Sequence, residues 1–316
     1  MIDFKGQVVI VTGAGRGIGR LFALDFARRG ASVVVNDLGG GVAGGGSNSA
    51  VAKEVVEEIK SAGGMAVASG HSVATAEGGA AIVQTAIDAF GRVDAVVNNA
   101  GITDNIPFEN LTLDQWNMML AVHTTGAFNV SQPAYRVMKA QGYGRFVFMG
   151  SSSGMFGVVY QGHYAAAKGG VFGLKNVIAV EGAQYGILAN LVMPHATTRM
   201  ITESFAGQPA MLEMPLFKIM RPEVITPMIV YLASKDCQVS HHNYSAGADR
   251  YARVFAGVGP GWFAGDKAVT PDDIAEHFNE ISATEPFYVP SSVVDETIEL
   301  CRRNGVTFEV PSFAGN

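Results

Sequence analysis

Val8-Val9-Ile10-Val11 runs directly into Thr12-Gly13-Ala14-Gly15-Arg16-Gly17-Ile18-Gly19, and these twelve residues decide the fold. Four consecutive β-branched residues with no polar alternation describe a short strand covered on both faces. The glycines that follow permit a tight turn and let the backbone come close to a bound group. The stretch 18–29 has helical character, with Arg28 and Arg29 in its last turn and Gly30 just past it, a good stop signal. A helix N-terminus offers unpaired N–H groups and the positive end of the peptide dipole. Strand, glycine turn and helix in this order predict a cradle for the pyrophosphate of a dinucleotide, built from Gly13, Arg16, Gly17, Ile18 and Gly19.

Working outward, apolar runs at 31–35, 65–69, 93–97, 146–149 and 187–193 read as further buried strands. Helical stretches at 49–62, 79–90, 113–141 and 164–185 separate them. The alternation predicts an α/β protein with a doubly wound parallel sheet of the Rossmann kind. No linker divides the chain, so residues 1–250 are expected to form a single dinucleotide-binding domain. Residues 251–316, punctuated by Gly257, Gly259, Pro260 and Gly261, are expected to form an extension packed on it. Within that extension Thr270-Pro271-Asp272-Asp273 resembles a helix start.

Asp37 closes the second strand about 20 residues past the glycines, where a carboxylate accepts hydrogen bonds from both hydroxyls of an adenosine ribose and repels a 2′-phosphate. NAD is therefore expected over NADP, although Arg16 in the glycine loop is a counter-signal. Asn98-Asn99-Ala100-Gly101 follows the fourth strand, at the carboxyl edge where such sheets bind ligands; Asn98 there either meets the cofactor or only bridges strands. His71-Ser72-Val73 follows the third strand and is expected to border the adenine.

Tyr164 and Lys168 stand four residues apart, which places both on one helix face. A cation that close favours the phenolate, so Tyr164 is expected to have a lowered pKa and to act as a general base. Ser151 lies 13 residues upstream and is expected to hold the substrate oxygen, with Ser152 and Ser153 as adjacent rivals.

Composition narrows the function classes. Among 316 residues 48% are hydrophobic and only 16% charged, and the mean hydropathy is +0.21. The low charge content suggests apolar surface covered by neighbouring subunits. A net charge of −6 argues against nucleic acid as a partner. Two cysteines make no disulfide framework, no apolar run has membrane-spanning length, and no signal peptide or peroxisomal Ser-Lys-Leu-type address is evident, so the cytoplasm is expected. His241-His242 are adjacent without a supporting cluster, so no metal site is expected.

Taken together, residues 12–19, Asn98–Gly101, Ser151 and Tyr164–Lys168 resemble, in order and spacing, the motifs of the short-chain dehydrogenase/reductase family over about residues 5–240. The resemblance implies a seven-stranded sheet, hydride transfer between NAD(P) and an alcohol or carbonyl, and a homodimer or homotetramer. It also assigns Tyr164 the role of base and gives Lys168 the nicotinamide ribose. Two departures stand out. His123 occupies the place of the usual helix asparagine, either continuing a proton relay or serving as a core histidine. Pro194-His195-Ala196-Thr197-Thr198-Arg199-Met200 replaces the usual Pro-Gly, with Pro194, Thr197 and Thr198 as candidate nicotinamide contacts.

These departures, with the glycine-rich insertion near 39–46, narrow the resemblance to the dehydrogenase unit of type 2 peroxisomal multifunctional enzymes. That group oxidises (3R)-hydroxyacyl-CoA thioesters with NAD, and some members oxidise 17β-hydroxysteroids. The hydratase and sterol-carrier units are absent from the sequence, which suggests a free-standing bacterial relative. The expected partner is a lipophilic small molecule, an acyl-CoA or a steroid. Met193, Met200, Phe205, Met211, Met214, Phe217 and Met220 would supply either an adaptable lid or ordinary core. An acyl-carrier-protein ketoreductase and a non-catalytic dinucleotide-binding regulator are the competing readings.

Overall fold

A computed structural model describes residues 1–204 and 209–307. Phe205 and the 313–316 terminus lie outside the described residues, as do the side chains of Met200 and Met211. The chain divides into two compact units, Met1–Arg253 and Val254–Asn316.

The first unit opens with β1 (Val8–Thr12), α1 (Gly17–Arg28), β2 (Ser32–Asn36), α2 (Ala50–Ser61), β3 (Met65–Ser69), α3 (Ala76–Phe90) and β4 (Ala95–Asn98). Two helical segments follow, α4 (Leu113–Leu120) and α5 (Gly126–Gln141), joined by one π-helical turn at Ala121–Thr125. Then come β5 (Gly144–Met149), α6 (Ser152–Phe156), α7 (Gly162–Gly182) and β6 (Ile187–His195). Three short helices, α8 (Arg199–Ser204), α9 (Pro209–Leu212) and α10 (Pro215–Ile219), lead to α11 (Thr226–Ala233), β7 (Asn243–Gly247) and β8 (Arg250–Val254).

The sheet order is β3-β2-β1-β4-β5-β6-β7-β8, and every pair from β3 to β7 is parallel. Strand order reverses between β1 and β4, so the carboxyl ends of these two strands flank the crevice where such sheets take ligands. β1, β2, β4 and β5 are buried along their whole length, the physical basis of their unbroken apolar runs. α1 lays Phe22, Ala23, Phe26 and Ala27 against the sheet, and Phe26 meets Phe4 edge to face at 5.0 Å. α3 starts three residues earlier than its apolar pattern suggests, because the Thr75 hydroxyl caps the Gly78 N–H at 3.1 Å.

Eight strands replace the seven implied by the resemblance. The extra one, β8, reads Arg-Tyr-Ala-Arg-Val and is mostly exposed, so it lacks the continuous apolarity of a buried strand. Ala248 and Asp249, both at positive φ, form the two-residue turn between it and β7.

The second unit contains α12 (Pro271–Glu276), α13 (Phe278–Ile281) and α14 (Val293–Arg303). The helix start expected at Thr270 is present. Its side chain accepts from Asp273 N–H, Asp273 returns the bond to Thr270 N–H, and Pro271 sits in the first turn. Trp262 stacks on His277 and Phe255 on Phe287 within this unit.

Lys175, on the buried face of α7, is wholly inaccessible to solvent and donates to the His241 carbonyl at 2.8 Å. Burial, with the nearby Arg253 charge, pushes its pKa from 10.5 down to about 7. Below pH 7 the folded and unfolded chains both carry the charge, and folding bears the full cost of burying it. Between pH 7 and 10.5 the folded chain sheds a proton that the unfolded chain keeps, so this cost fades as pH rises. Lys175→Met is expected to stabilise the protein by about 1–3 kcal/mol at pH 7. Thermal unfolding at pH 7 and 9.5 checks this: the gain should shrink at the higher pH.

Candidate active site

Residues from the carboxyl ends of β1, β2, β4, β5 and β6 line one cleft of about 460 Å³. At its floor the loop after β1 is held by side chains rather than by regular structure. The Thr12 hydroxyl accepts the N–H groups of Asn99 and Ala100 at 3.0 Å each. The Asn99 amide donates back to the carbonyls of Thr12 at 2.9 Å and Gly13 at 3.0 Å. A Cβ on Gly13 would stand 2.8 Å from Ala100 Cα, and one on Gly19 would collide with the Gly13 carbonyl. The loop thus keeps a bare backbone surface at the N-terminus of α1, and that surface fits a pyrophosphate.

Asp37 ends the next wall. One carboxylate oxygen accepts Gly15 N–H at 2.8 Å and the other accepts Gly39 N–H at 2.7 Å. The carboxylate is therefore fixed in orientation at the edge of the cleft. Gly13, Arg16, Gly17, Ile18 and Gly19 line the cleft, as do His71, Ser72, Val73, Asn99, Ala100, Gly101 and Pro194. Asn98 reaches a helix and not a neighbouring strand: its amide donates to the Ser131 hydroxyl of α5 at 3.0 Å. Thr198 and Arg199 line the cleft, whereas Thr197 turns away, its hydroxyl donating to the Phe217 carbonyl at 2.8 Å and its N–H to the Met220 carbonyl at 2.7 Å.

The chemical groups meet where β5 gives way to α6 and α7. Ser151 caps α6, its hydroxyl accepting Ser153 N–H at 3.1 Å, and its side chain is close enough to Tyr164 to favour the phenolate. Ser153 is engaged elsewhere, donating to the Gln161 side chain at 3.0 Å. Ser152 pairs with His195 Nε2 at 3.1 Å, which ties the start of α6 to the end of β6. Sequence reasoning missed that contact, although the histidine standing in the expected Pro-Gly position was its signal. Lys168 is buried, with Nζ donating to the Met149 carbonyl at 2.7 Å and lying 5.6 Å from the centre of the Tyr164 ring.

The expected lowering of the Tyr164 pKa is not what the protein's own groups produce. Burial pushes Tyr164 upward, and the nearby Ser151 side chain opposes it only in part. Burial also pushes Lys168 down, from 10.5 to about 7.

His123 sits in the π turn, and the wider turn brings it inward between the chain after β4 and Tyr164. It is buried, its Nε2 lies 2.8 Å from the Ile102 carbonyl, and its ring meets Tyr164 edge to face at 5.2 Å. Burial and the Lys168 charge hold it well below the usual histidine range, so it is neutral. Its Nδ1 is buried with no hydrogen-bond partner among the described residues. Beside it His123, Lys168, Asn98 and Thr12 line a pocket of about 10 Å³, the size of one water. Of the expected apolar lid, Met193 is fully buried core, while Met214 is exposed.

A doubly wound sheet with a glycine cradle and a Ser-Tyr-Lys group at its carboxyl edge defines a nucleotide-dependent oxidoreductase. The short chain dehydrogenase profile matches residues 7–209, and the chain belongs to that family. It is 40% identical over 291 residues to peroxisomal multifunctional enzyme A of Dictyostelium discoideum, covering 92% of this chain and 63% of that one. It is 38% identical over 301 residues to peroxisomal multifunctional enzyme type 2 of Mus musculus, covering 94% of this chain and 39% of that one. The chain thus spans from about two fifths to under two thirds of these relatives.

Among solved structures, the full-length peroxisomal multifunctional enzyme type 2 of Drosophila melanogaster superposes with a TM-score of 0.79 at 29% identity, covering 96% of this chain and 50% of that one. A short chain dehydrogenase from Mycobacterium avium superposes with a TM-score of 0.71 at 34% identity, covering 90% and 99%. No helix among the described residues is long and apolar enough to cross a membrane.

Proposed function

We propose that this chain oxidises the secondary alcohol of a 3-hydroxyacyl-CoA to the ketone, with NAD as hydride acceptor. The observation that carries the oxidation is Ser151 close to Tyr164 beside buried Lys168, opening on the cleft that Asp37 bounds. Bound along that cleft, NAD would supply the hydride acceptor and a positively charged ring beside the phenol. Ser151 holds the substrate oxygen and stabilises it as charge develops. Tyr164 takes the hydroxyl proton; a bound cation is what its raised pKa requires before it can serve as a base near neutral pH. Lys168, its pKa lowered by burial to about 7, can take up and pass on a proton near neutral pH. His123, neutral and with a free Nδ1, continues that path through the water-sized pocket beside Lys168.

The thioester substrate rests on the family resemblance and on the names of the relatives, which include the peroxisomal hydratase-dehydrogenase-epimerase of Saccharomyces cerevisiae at 40% identity. The preference for NAD rests on Asp37, whose anchored carboxylate would face a 2′-phosphate at close range. Initial rates test both. Expected is turnover of 3-hydroxyacyl-CoAs with kcat/KM well above that for free 17β-hydroxysteroids, and tighter binding of NAD than of NADP. Preferred turnover of free steroid would overturn the substrate, and tighter NADP binding would favour a reductase.

A further inference from the structure

The glycine-rich segment between β2 and α2 is not accounted for by the hydride chemistry. Leu38-Gly39-Gly40-Gly41-Val42-Ala43-Gly44-Gly45-Gly46-Ser47-Asn48 forms a closed loop whose base is pinned by Asn48 N–H on the Leu38 carbonyl at 2.9 Å. Its tip is folded on itself, with Gly41 N–H on Gly45 O at 3.0 Å and Gly44 N–H on Gly41 O at 3.1 Å. From the adenosine side the loop reaches across to the chain after β4, where Thr103 N–H donates to the Val42 carbonyl at 2.9 Å. Gly44 rests near Ile102 and Met118. Gly40, Val42 and Gly45 line the same cleft as the glycine cradle and Tyr164.

We propose that residues 39–48 are a strap that latches over bound dinucleotide, hinged at Gly39 and Asn48, and that its opening sets how fast the cofactor leaves. The span crosses the cleft and its far end is held by a single backbone hydrogen bond. A segment with so few apolar contacts opens at low cost. Thr103 lies on the loop that continues from Gly101, so the latch also joins the cofactor wall to the substrate side. The proposal rests on the reading of this cleft as a dinucleotide site.

Two measurements test it without an alcohol substrate, so a wrong substrate assignment leaves both standing. In the wild-type protein, saturating NADH is expected to slow amide exchange of residues 39–48 and of Thr103 at least about tenfold; unchanged exchange there would overturn the strap. The second uses Gly45→Val with Gly46→Val. Both positions have positive φ, 78° and 72°, and no protein atom near the added Cβ, so the substitutions strain the folded strap without crowding the described residues. Release of NADH, followed by stopped-flow fluorescence, is expected to quicken about tenfold or more, since a β-branched residue resists this backbone region. Release at the wild-type rate would equally overturn the proposal. A wild-type protein that bound neither NADH nor NADPH would remove the dinucleotide reading and the strap with it.

Discussion

Tyr164→Phe is expected to lower kcat by about 10³-fold or more while dinucleotide binding stays within about twofold of wild type. The substitution removes one oxygen and keeps the ring, so the edge-to-face contact with His123 survives and the fold has no reason to change. What is lost is the hydroxyl that lies close to Ser151 and stands one helical turn from Lys168. The raised pKa adds a second expectation. The basic form of Tyr164 is scarce unless a cation sits beside it, so kcat/KM for alcohol oxidation should rise with pH through the neutral range. Steady-state rates from pH 6 to 10, with cofactor affinity from fluorescence titration, check both. A Tyr164→Phe protein with even a tenth of the wild-type kcat would assign the proton transfer elsewhere.

Ser151→Ala comes next, with an expected loss of about 10²–10³-fold in kcat. It is expected to act in a second way as well. Ser151 caps α6, and its side chain opposes the upward push of burial on Tyr164. Without it the phenol should titrate higher still, and the rising limb of the pH–rate profile should shift to higher pH. A cap loss costs only about 1 kcal/mol of stability, so a nearly unchanged Tm beside a large fall in kcat separates chemistry from folding. Ser152→Ala, which breaks only the exposed bond with His195, should leave most of the rate.

Much of this site was legible because its chemistry depends on local spacing. Strand, glycine turn and helix read correctly from twelve residues, and the four-residue step from Tyr164 to Lys168 needed only the helical repeat. What escaped depended on the third dimension. The partner of Asn98 is Ser131, 33 positions away, and no pattern around either residue announces the other. Thr197 and Thr198 look alike in sequence, yet one turns to Phe217 and only its neighbour faces the cleft. The Tyr164 pKa went the other way from expectation because spacing reports proximity but not burial, and burial of the phenol itself raises it. Strand β8 was missed for the opposite reason, since an exposed edge strand carries no apolar signature.

The π turn at Ala121–Thr125 has a consequence for how this long rod is phased. One additional residue per turn offsets everything beyond it by about 100° around the axis. The half ending in α5 can therefore pack against α3, while the half beginning in α4 independently brings Met118 to the cleft. Deleting a single residue there would restore an unbroken α-helix and put the two halves out of step. The stretch behaves as a clutch between scaffold and chemistry, letting each drift in sequence without turning the other.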